Sequence, residues 1–192
     1  MRPGLAIAAL WTLWLISWLV AALWSNPTEK RAGIGSEFGY RALMTLGAIV
    51  LLVPAHRYEG PLRLWYIGWV GAWICVLLVA LGLGFSWWAR IYLGRLWSSG
   101  VTRKADHHLV DAGPYAIVRH PIYTGLLLAI LATTAAKGTV LGIAGCLSLV
   151  IGVWLKARLE ERWLARELGE GTYQSYRQRV PMLVPFAPAR RG

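Results

Sequence analysis

Charged residues are scarce in this sequence. Only 15% of its 192 residues are Asp, Glu, Lys or Arg, whereas about 25% is typical of a soluble domain. Hydrophobic residues make up 57% of the chain, and the mean hydropathy is +0.49. The apolar residues occur in long blocks without an ionisable group, which is typical of membrane spans. The composition therefore argues against a soluble globule and predicts a polytopic membrane protein of one domain.

Acidic residues are the scarcer charged class, since 9 Asp and Glu stand against 20 Lys and Arg, a formal net charge of +11. In a nucleic-acid-binding protein such an excess would form a basic face in a polar context. Here the basic residues lie mostly between and after the apolar blocks, so they indicate membrane topology and contact with lipid headgroups. No nucleic-acid partner is expected.

Cysteine is almost absent. Cys75 and Cys146 both lie inside apolar blocks, so neither a disulfide framework nor a cysteine-based metal site is expected. The adjacent His107 and His108 lack spaced third and fourth ligands, so they do not predict a metal site either.

Five uncharged blocks are candidates for membrane-spanning helices: Leu5–Trp24, Ala42–Pro54, Leu64–Ala89, Pro121–Ala136 and Gly138–Leu155. The second block is short and spans a bilayer only with help from Phe38–Tyr40 or where the bilayer is locally thinner. The last two are separated by Lys137 and Gly138, which predicts a tight helical hairpin. The expected fold class is an all-α integral membrane protein with about five transmembrane helices and a C-terminal hairpin; four spans are the alternative.

The distribution of basic residues predicts the orientation. With five spans, one side of the membrane holds Arg2, Arg57, Arg63 and Lys137, and the other side holds the rest of the 20 basic residues. The positive-inside rule makes the richer side cytoplasmic. That side carries the loop 90–120 and the tail after Leu155, whichever number of spans is correct.

Two polar stretches on this side are not explained by topology. In the first, Pro121 stands where a helix can begin, which places Arg119 and His120 at the mouth of the fourth span, beside backbone N–H groups that favour an anion. In the second, Lys156 and Glu160 are four residues apart and share a helix face. The hairpin returns the chain to the same side, so the two stretches can meet.

An ordered set of motifs runs through the second half of the chain: His108-Leu109-Val110, Gly113-Pro114-Tyr115, Arg119-His120-Pro121-Ile122-Tyr123-Thr124-Gly125, Glu160-Glu161, Leu168-Gly169-Glu170, Tyr173, Tyr176 and Arg179-Val180-Pro181. This set resembles the isoprenylcysteine carboxyl methyltransferase family over residues 100–186. Residues 1–99 hold the N-terminal spans of the same single domain, 1–192, and their fold is argued from hydropathy only.

The resemblance implies an integral-membrane O-methyltransferase that uses S-adenosylmethionine at the cytoplasmic face. The positions that match cofactor contacts of the family are His107, His108, Leu109, Val110, Tyr115, His120, Pro121, Ile122, Tyr123 and Glu160. A family arginine near the substrate falls on Lys156, which keeps the charge but lacks the planar fork. Lys156, Arg158 and His120 are therefore the candidate catalytic residues, with either Lys156 or Arg158 in the role of the family arginine.

The chemistry of methyl transfer agrees with these residue types. The sulfonium donor calls for a carboxylate and aromatic or apolar walls, and a carboxylate acceptor, with a pKa near ~4, is ionised at neutral pH and needs no general base. Catalysis then rests on positioning, partial desolvation and a cation that holds the acceptor. This interpretation predicts a dry tunnel between the spans for a lipophilic or lipidated acceptor.

Two other functions stay open. A phospholipid or amine N-methyltransferase would need a base, and His120 or Glu161 can serve. A sterol-type reductase that uses NADPH shares part of the pattern, but such enzymes usually have more spans. The small size and short loops suit a prokaryotic member in the cytoplasmic membrane, and membrane lipids are expected partners. The acceptor and the oligomeric state stay undetermined.

Overall fold

Helices dominate the computed structural model, which describes residues 2–23, 28–31, 34–52, 62–94, 97, 102–104, 110–168 and 170–188. The helices are α1 (Pro3–Ala22), α2 (Ile34–Leu52), α3 (Gly68–Leu93), α4 (Pro114–Ile117), α5 (Pro121–Lys137), α6 (Val140–Leu168) and α7 (Glu170–Arg179). Two short strands, β1 (Thr28–Arg31) and β2 (Thr102–Lys104), pair antiparallel. The predicted all-α fold class is confirmed, with one small strand pair that hydropathy did not reveal.

Among the described residues, three helices are long and apolar enough to cross a membrane by length and composition: Pro3–Ala22, Gly68–Leu93 and Val140–Arg166. Helix α5 is apolar but shorter, and α2 has 19 residues with Glu37 in its first turn. Each of the five predicted blocks overlaps one of these five helices. As expected, α2 begins before Phe38 and thereby gains the length that its uncharged part lacks.

Consecutive long helices run in opposite directions. At one end of the bundle, Lys137 of α5 donates a hydrogen bond to the carbonyl of Leu51, so the last turns of α5 and α2 meet. At the other end, Arg90 near the end of α3 donates to the carbonyl of Ala21 of α1 over 2.8 Å. Ile122, at the start of α5, packs beside the last turns of α3. This second end, where α1, α3 and α6 finish and α2 and α5 begin, is called the site end below.

Helices α3 and α5 approach each other closely through small residues. A Cβ atom on Gly82 would lie only 2.5 Å from the carbonyl oxygen of Gly125, so any larger residue would push the two helices apart. Val79 and Ala129 are completely buried in the same contact. In a membrane, where the hydrophobic effect between helices is weak, such close backbone packing is a principal source of association.

The hairpin between α5 and α6 forms as predicted. Gly138 ends α5 in the left-handed conformation, with φ +60°, which glycine adopts without steric cost. Its carbonyl accepts a hydrogen bond of 2.7 Å from the backbone N–H of Leu64. Residues 64–67 are therefore held outside the helix, and α3 begins at Gly68, four residues later than its apolar block suggests.

Helix α6 is much longer than the uncharged block from which it was predicted. It continues from Leu155 to Leu168 and measures about 44 Å at 1.5 Å per residue, against about 30 Å for a hydrocarbon core. Its last turns thus project from the site end, and they carry most of the charged residues described next.

Candidate functional site

The site is built around the first turn of α5. His120 is the N-cap of that helix and Pro121 is its first residue. The backbone N–H groups of Arg119 and His120 donate to Pro181 O over 2.9 Å and Met182 O over 3.1 Å. The segment after α7 therefore lies against this helix start.

Two carboxylates from α6 lie against the same helix start. Tyr123 donates a hydrogen bond from its hydroxyl to Glu160 Oε1 over 2.6 Å. His120 Nδ1 is 3.6 Å from Glu160 Oε2, and His120 Nε2 is 3.5 Å from Glu161 Oε1. The imidazole is thus placed between two adjacent carboxylates. The expectation that the hairpin brings the two polar stretches together is confirmed.

The carboxylate of Glu161 has a structural role. Arg119 donates from Nε to Glu161 Oε1 over 2.6 Å, and both side chains are buried. The same guanidinium donates from Nη1 to the carbonyls of Arg177 and Val180, while Arg177 Nε lies 3.7 Å from Glu161 Oε2. This pair fastens α7 and the chain after it to α6, a role that the sequence did not reveal for Arg119.

Glu160 is the more accessible of the two carboxylates, with 19% of its side chain exposed against 6% for Glu161. Lys156 Nζ lies 4.0 Å from Glu160 Oε1, one helical turn earlier on α6. It also lies over the ring of Tyr123, 5.3 Å from the ring centroid. Glu160, Tyr123, His120 and Lys156 therefore form one charged cluster at the site end, called the Glu160 cluster below.

Tyr40 of α2 joins this cluster from the N-terminal half of the chain. Its ring centroid is 5.8 Å from Lys156 Nζ, and its side chain is only 4% exposed. Its hydroxyl is buried without a hydrogen-bond partner among the described residues. Sequence reasoning missed Tyr40, because no local pattern marks it and its position depends on the packing of α2 against α6.

The protonation of His120 is set by competing effects. Burial by itself lowers the pKa of the imidazole, but the carboxylates of Glu160 and Glu161 outweigh burial, so the net pKa is raised above its ordinary value. The ring stacks on Tyr123 with centroids 5.5 Å apart and planes 11° apart. His120 Nε2 is buried and makes no hydrogen bond of ordinary length within the described part of the chain. The two carboxylates therefore stabilise the charged form of this imidazole more than water does for a free histidine.

The remaining predicted contacts form a wall on one side of the cluster. Tyr115 and Ile122 are buried together with Ala89, and Val110 packs against them. The carbonyl of Tyr115 accepts a hydrogen bond of 2.7 Å from the Tyr176 hydroxyl. Burial raises the pKa of Tyr115, so its phenol stays neutral.

Not every predicted residue falls in this cluster. Residues 107–109, which include His107, His108 and Leu109, lie outside the described residues. Arg158 is described, but its guanidinium lies 5.4 Å from the ring of Trp154, on a different face of α6 from Lys156. Among the described residues no group of three His, Cys, Asp or Glu side chains is placed to hold a metal ion.

The fold and the site define a class of protein: an integral membrane protein with a helical bundle and a buried charged site at one end of it. Residues 70–171 match the sequence model of a family described as phospholipid methyltransferase. The match covers more than half of the 192 residues, and the chain belongs to this family.

Three curated relatives illustrate the range of the similarity. The chain is 34% identical over 128 residues to the cobalt-zinc-cadmium resistance protein CzcN of Cupriavidus metallidurans, a match of 65% of this chain and 56% of that protein. It is 48% identical over 77 residues to methanethiol S-methyltransferase 2 of Bradyrhizobium diazoefficiens, 40% of this chain and 29% of the relative. It is 36% identical over 88 residues to the protein-S-isoprenylcysteine O-methyltransferase of Schizosaccharomyces pombe, 45% of this chain and 36% of the relative.

These matches cover between 29% and 56% of the relatives' own lengths. The similarity to the protein-S-isoprenylcysteine O-methyltransferases, which includes a second one from Arabidopsis thaliana, confirms the resemblance drawn from the motifs.

Proposed function

We propose that the chain is a membrane methyltransferase that transfers a methyl group from S-adenosylmethionine to the carboxylate of a lipophilic, isoprenylcysteine-like acceptor. The observation that carries this proposal is the Glu160 cluster, a buried arrangement of carboxylate, imidazole, phenol and ammonium groups inside the region that matches the family. The names of the O- and S-methyltransferase relatives support the same reaction class.

The residues of the cluster fit the proposed methyl donor. When bound, S-adenosylmethionine supplies an electrophilic methyl group on a sulfonium cation. Glu160 offers the partly accessible carboxylate that such a cation needs, and the stacked rings of His120 and Tyr123 offer an aromatic wall. The buried Nε2 of His120 has no hydrogen bond of ordinary length among the described residues. It is therefore a polar atom that a ligand can satisfy.

Lys156 is the residue best placed to hold a carboxylate acceptor. It is 9% exposed, so its charge acts in a poorly solvated setting where electrostatic attraction is strong. A carboxylate acceptor is already ionised at neutral pH and requires no proton transfer. Because the negative charge of the nucleophile disappears in the transition state, a single ammonium is preferable to a bidentate guanidinium, whose tighter grip would stabilise the ground state.

The distribution of charge supports a cytoplasmic site. Most of the described basic residues lie at the site end, including Arg119, Lys156 and Arg177. Arg63 and Lys137 lie at the opposite end, where Arg63 pairs with Thr139 before α6 begins. By the positive-inside rule we expect the site end to be cytoplasmic, and we propose a prokaryotic cytoplasmic membrane as the location of the protein.

A thiol acceptor is the second candidate function. It is favoured by the 48% identity to methanethiol S-methyltransferase 2, which is higher than the 36% identity to the isoprenylcysteine enzyme. A thiol is mostly protonated at neutral pH and reacts as the thiolate. The ammonium of Lys156 would also stabilise that anion, so it would hold either acceptor through the same charge.

The test begins with calorimetric titration of S-adenosylhomocysteine into the detergent-purified protein, with NADPH in a parallel cell. We expect saturable binding of the first compound only, lost in Glu160→Gln. In the control variant Glu161→Gln, the part of the protein that folds should still bind S-adenosylhomocysteine. NADPH binding without S-adenosylhomocysteine binding would instead indicate the reductase.

The acceptor is then identified by transfer of a radiolabelled methyl group. N-acetyl-S-farnesylcysteine, its carboxamide, a long-chain thiol and phosphatidylethanolamine are offered in turn. Methylation of the acid but not of its carboxamide is the expected result. Methylation of the thiol alone would favour the second candidate, and methylation of the amine alone would contradict both.

A further inference from the structure

A cavity lies outside the Glu160 cluster, between α6 and α7. It has a volume of about 320 Å³, which is within the usual range for a small-ligand site. Its lining consists of Arg158, Glu161, Arg162, Ala165, Arg166 and Arg177. Four of these six residues are arginines, and we call this cavity the arginine cleft.

The spacing on α6 explains why the arginines share one cavity. Arg158, Arg162 and Arg166 are separated by four residues each, which places their side chains on one face of the helix, one turn apart. Arg177 approaches from α7, which packs against α6. A stripe of three like charges at this spacing disfavours the helix unless something neutralises it.

The carboxylate in the cleft does not neutralise that stripe. Glu161 Oε1 accepts the 2.6 Å hydrogen bond of Arg119, and Oε2 faces Arg177 at 3.7 Å. No carboxylate among the described side chains lies within ion-pair distance of Arg158, Arg162 or Arg166. The cleft therefore presents an excess of guanidinium groups, the side chain best suited to bind phosphate through paired hydrogen bonds.

The position of the cleft relative to the membrane surface indicates the source of its ligand. Trp154 and Leu155 are 47% and 38% exposed, and they are the last exposed large apolar residues among the described side chains of α6. Arg158 and Arg162 then lie about 6 and 12 Å further along the helix axis, at the level of the lipid headgroups and just outside it. Arg158 also lies over the ring of Trp154, and tryptophan is enriched at this interface.

We propose that the arginine cleft binds the phosphate headgroup of an anionic phospholipid. The phosphate would bridge Arg162 and Arg166, with Arg158 at the membrane side of the cleft. The inference rests on this cavity and its charges and does not depend on methyl transfer at the Glu160 cluster. It assigns a ligand to three arginines that pair with no described carboxylate.

The test is a thermal-unfolding titration of the full chain in a non-ionic detergent. Three probes are compared: dihexanoylphosphatidylglycerol, dihexanoylphosphatidylcholine and inorganic phosphate. The cleft variant is Arg162→Gln with Arg166→Gln. Its matched control is Arg2→Gln with Arg63→Gln, which removes the same charge at the other end of the bundle.

We expect phosphatidylglycerol to raise the Tm of the parent protein and of the control saturably, because a ligand that binds only the folded state stabilises it. The cleft variant should need at least tenfold more of this lipid for the same rise, and phosphatidylcholine should have little effect. Equal responses of all variants, or of both lipids, would overturn the proposal. An arginine-dependent response to inorganic phosphate as strong as that to the lipid would show that the ligand is a soluble anion instead.

A second measurement tests the proposal even if the double variant folds poorly. Native mass spectrometry of each protein extracted from its own membrane reports the bound lipids directly. The single variant Arg162→Lys keeps the charge but loses the planar fork, so it should retain less anionic lipid than the parent protein and more than Arg162→Gln. Identical lipid content in all three proteins would contradict a phosphate site in the cleft.

Discussion

The hydroxyl of Tyr123 donates a 2.6 Å hydrogen bond to Glu160, and this contact joins the first turn of α5 to the last third of α6. The two residues are far apart in sequence but adjacent in space, because the turn at Gly138 returns the chain to the site end. The carboxylate is oriented by this hydroxyl on one side and by His120 on the other. Orientation of a charged group by fixed donors is the main way in which a protein prepares a site for a cationic ligand.

Removal of the Tyr123 hydroxyl should therefore weaken binding at the site without unfolding the protein. For Tyr123→Phe we expect the affinity for S-adenosylhomocysteine to fall at least tenfold, since a hydrogen bond to a charged group contributes about 1.5–3 kcal/mol. Calorimetry measures the change, and Tyr92→Phe, an exposed tyrosine of α3, serves as the control. Unchanged affinity would mean that Glu160 needs no orientation by the phenol.

Arg119 and Glu161 should behave as structural residues. Arg119→Met leaves the buried Glu161 carboxylate without its main partner, and loss of one member of a buried ion pair costs about 3–5 kcal/mol. We expect a clear fall in Tm in detergent and a lower yield of folded protein. If the folded fraction keeps the Tm of the parent protein and has lost only ligand binding, Arg119 belongs to the binding site instead.

Lys156 and Arg158 should differ, because they lie on different faces of α6. For Lys156→Gln we expect turnover of a carboxylate acceptor to fall at least tenfold, since one charge-assisted contact that orients the acceptor is worth more than 1.4 kcal/mol. The affinity for S-adenosylhomocysteine should change little. Arg158→Gln, measured in the same assay, should have the smaller effect on turnover. A larger fall in turnover for Arg158→Gln than for Lys156→Gln would instead assign the role of the family arginine to Arg158.

Tyr40 offers a test of where the acceptor lies. Its buried hydroxyl has no described partner, and an unsatisfied buried hydroxyl is unfavourable, so Tyr40→Phe should leave the Tm unchanged or slightly higher. If the acceptor carboxylate takes that hydrogen bond, its KM should rise about tenfold, the effect of roughly 1.4 kcal/mol. A lower Tm with an unchanged KM would make the hydroxyl structural.

The raised pKa of His120 predicts a dependence of stability on pH. Because Glu160 and Glu161 raise this pKa in the folded state, protonation of His120 stabilises the folded protein. The contribution is complete below the unfolded pKa near ~6.5 and is lost as the pH rises through the folded value. Tm should thus decrease from mildly acidic to alkaline pH, and His120→Gln should flatten that decrease. A Tm that rises over the same interval would contradict the assignment.

Much of the site could be predicted from sequence because its markers are local. Pro121 fixes where α5 begins, the turn at Gly138 fixes the hairpin, and the spacing of Lys156 and Glu160 fixes a helix face. Each of these inferences needs only neighbouring residues and known helix geometry.

The rest of the site depends on tertiary packing. Tyr40 reaches Lys156 only because α2 packs against α6, and Arg177 reaches Glu161 only because α7 folds back. The carbonyls of Pro181 and Met182 accept hydrogen bonds from Arg119 and His120, a pairing that no local pattern identifies. The strand pair of 28–31 with 102–104 likewise joins segments whose partners no local pattern identifies.

The hydrogen bonds from Arg119 and His120 to residues 181 and 182 also bear on how the protein is made. A ribosome delivers the chain from its N-terminus, so α5 can enter the bilayer before the segment that covers its first turn has been synthesised. Until then the guanidinium of Arg119 lacks the carbonyls of Arg177 and Val180, to which it donates in the folded protein. Maturation of this end of the bundle is therefore a late event in biogenesis, completed after the hairpin has inserted.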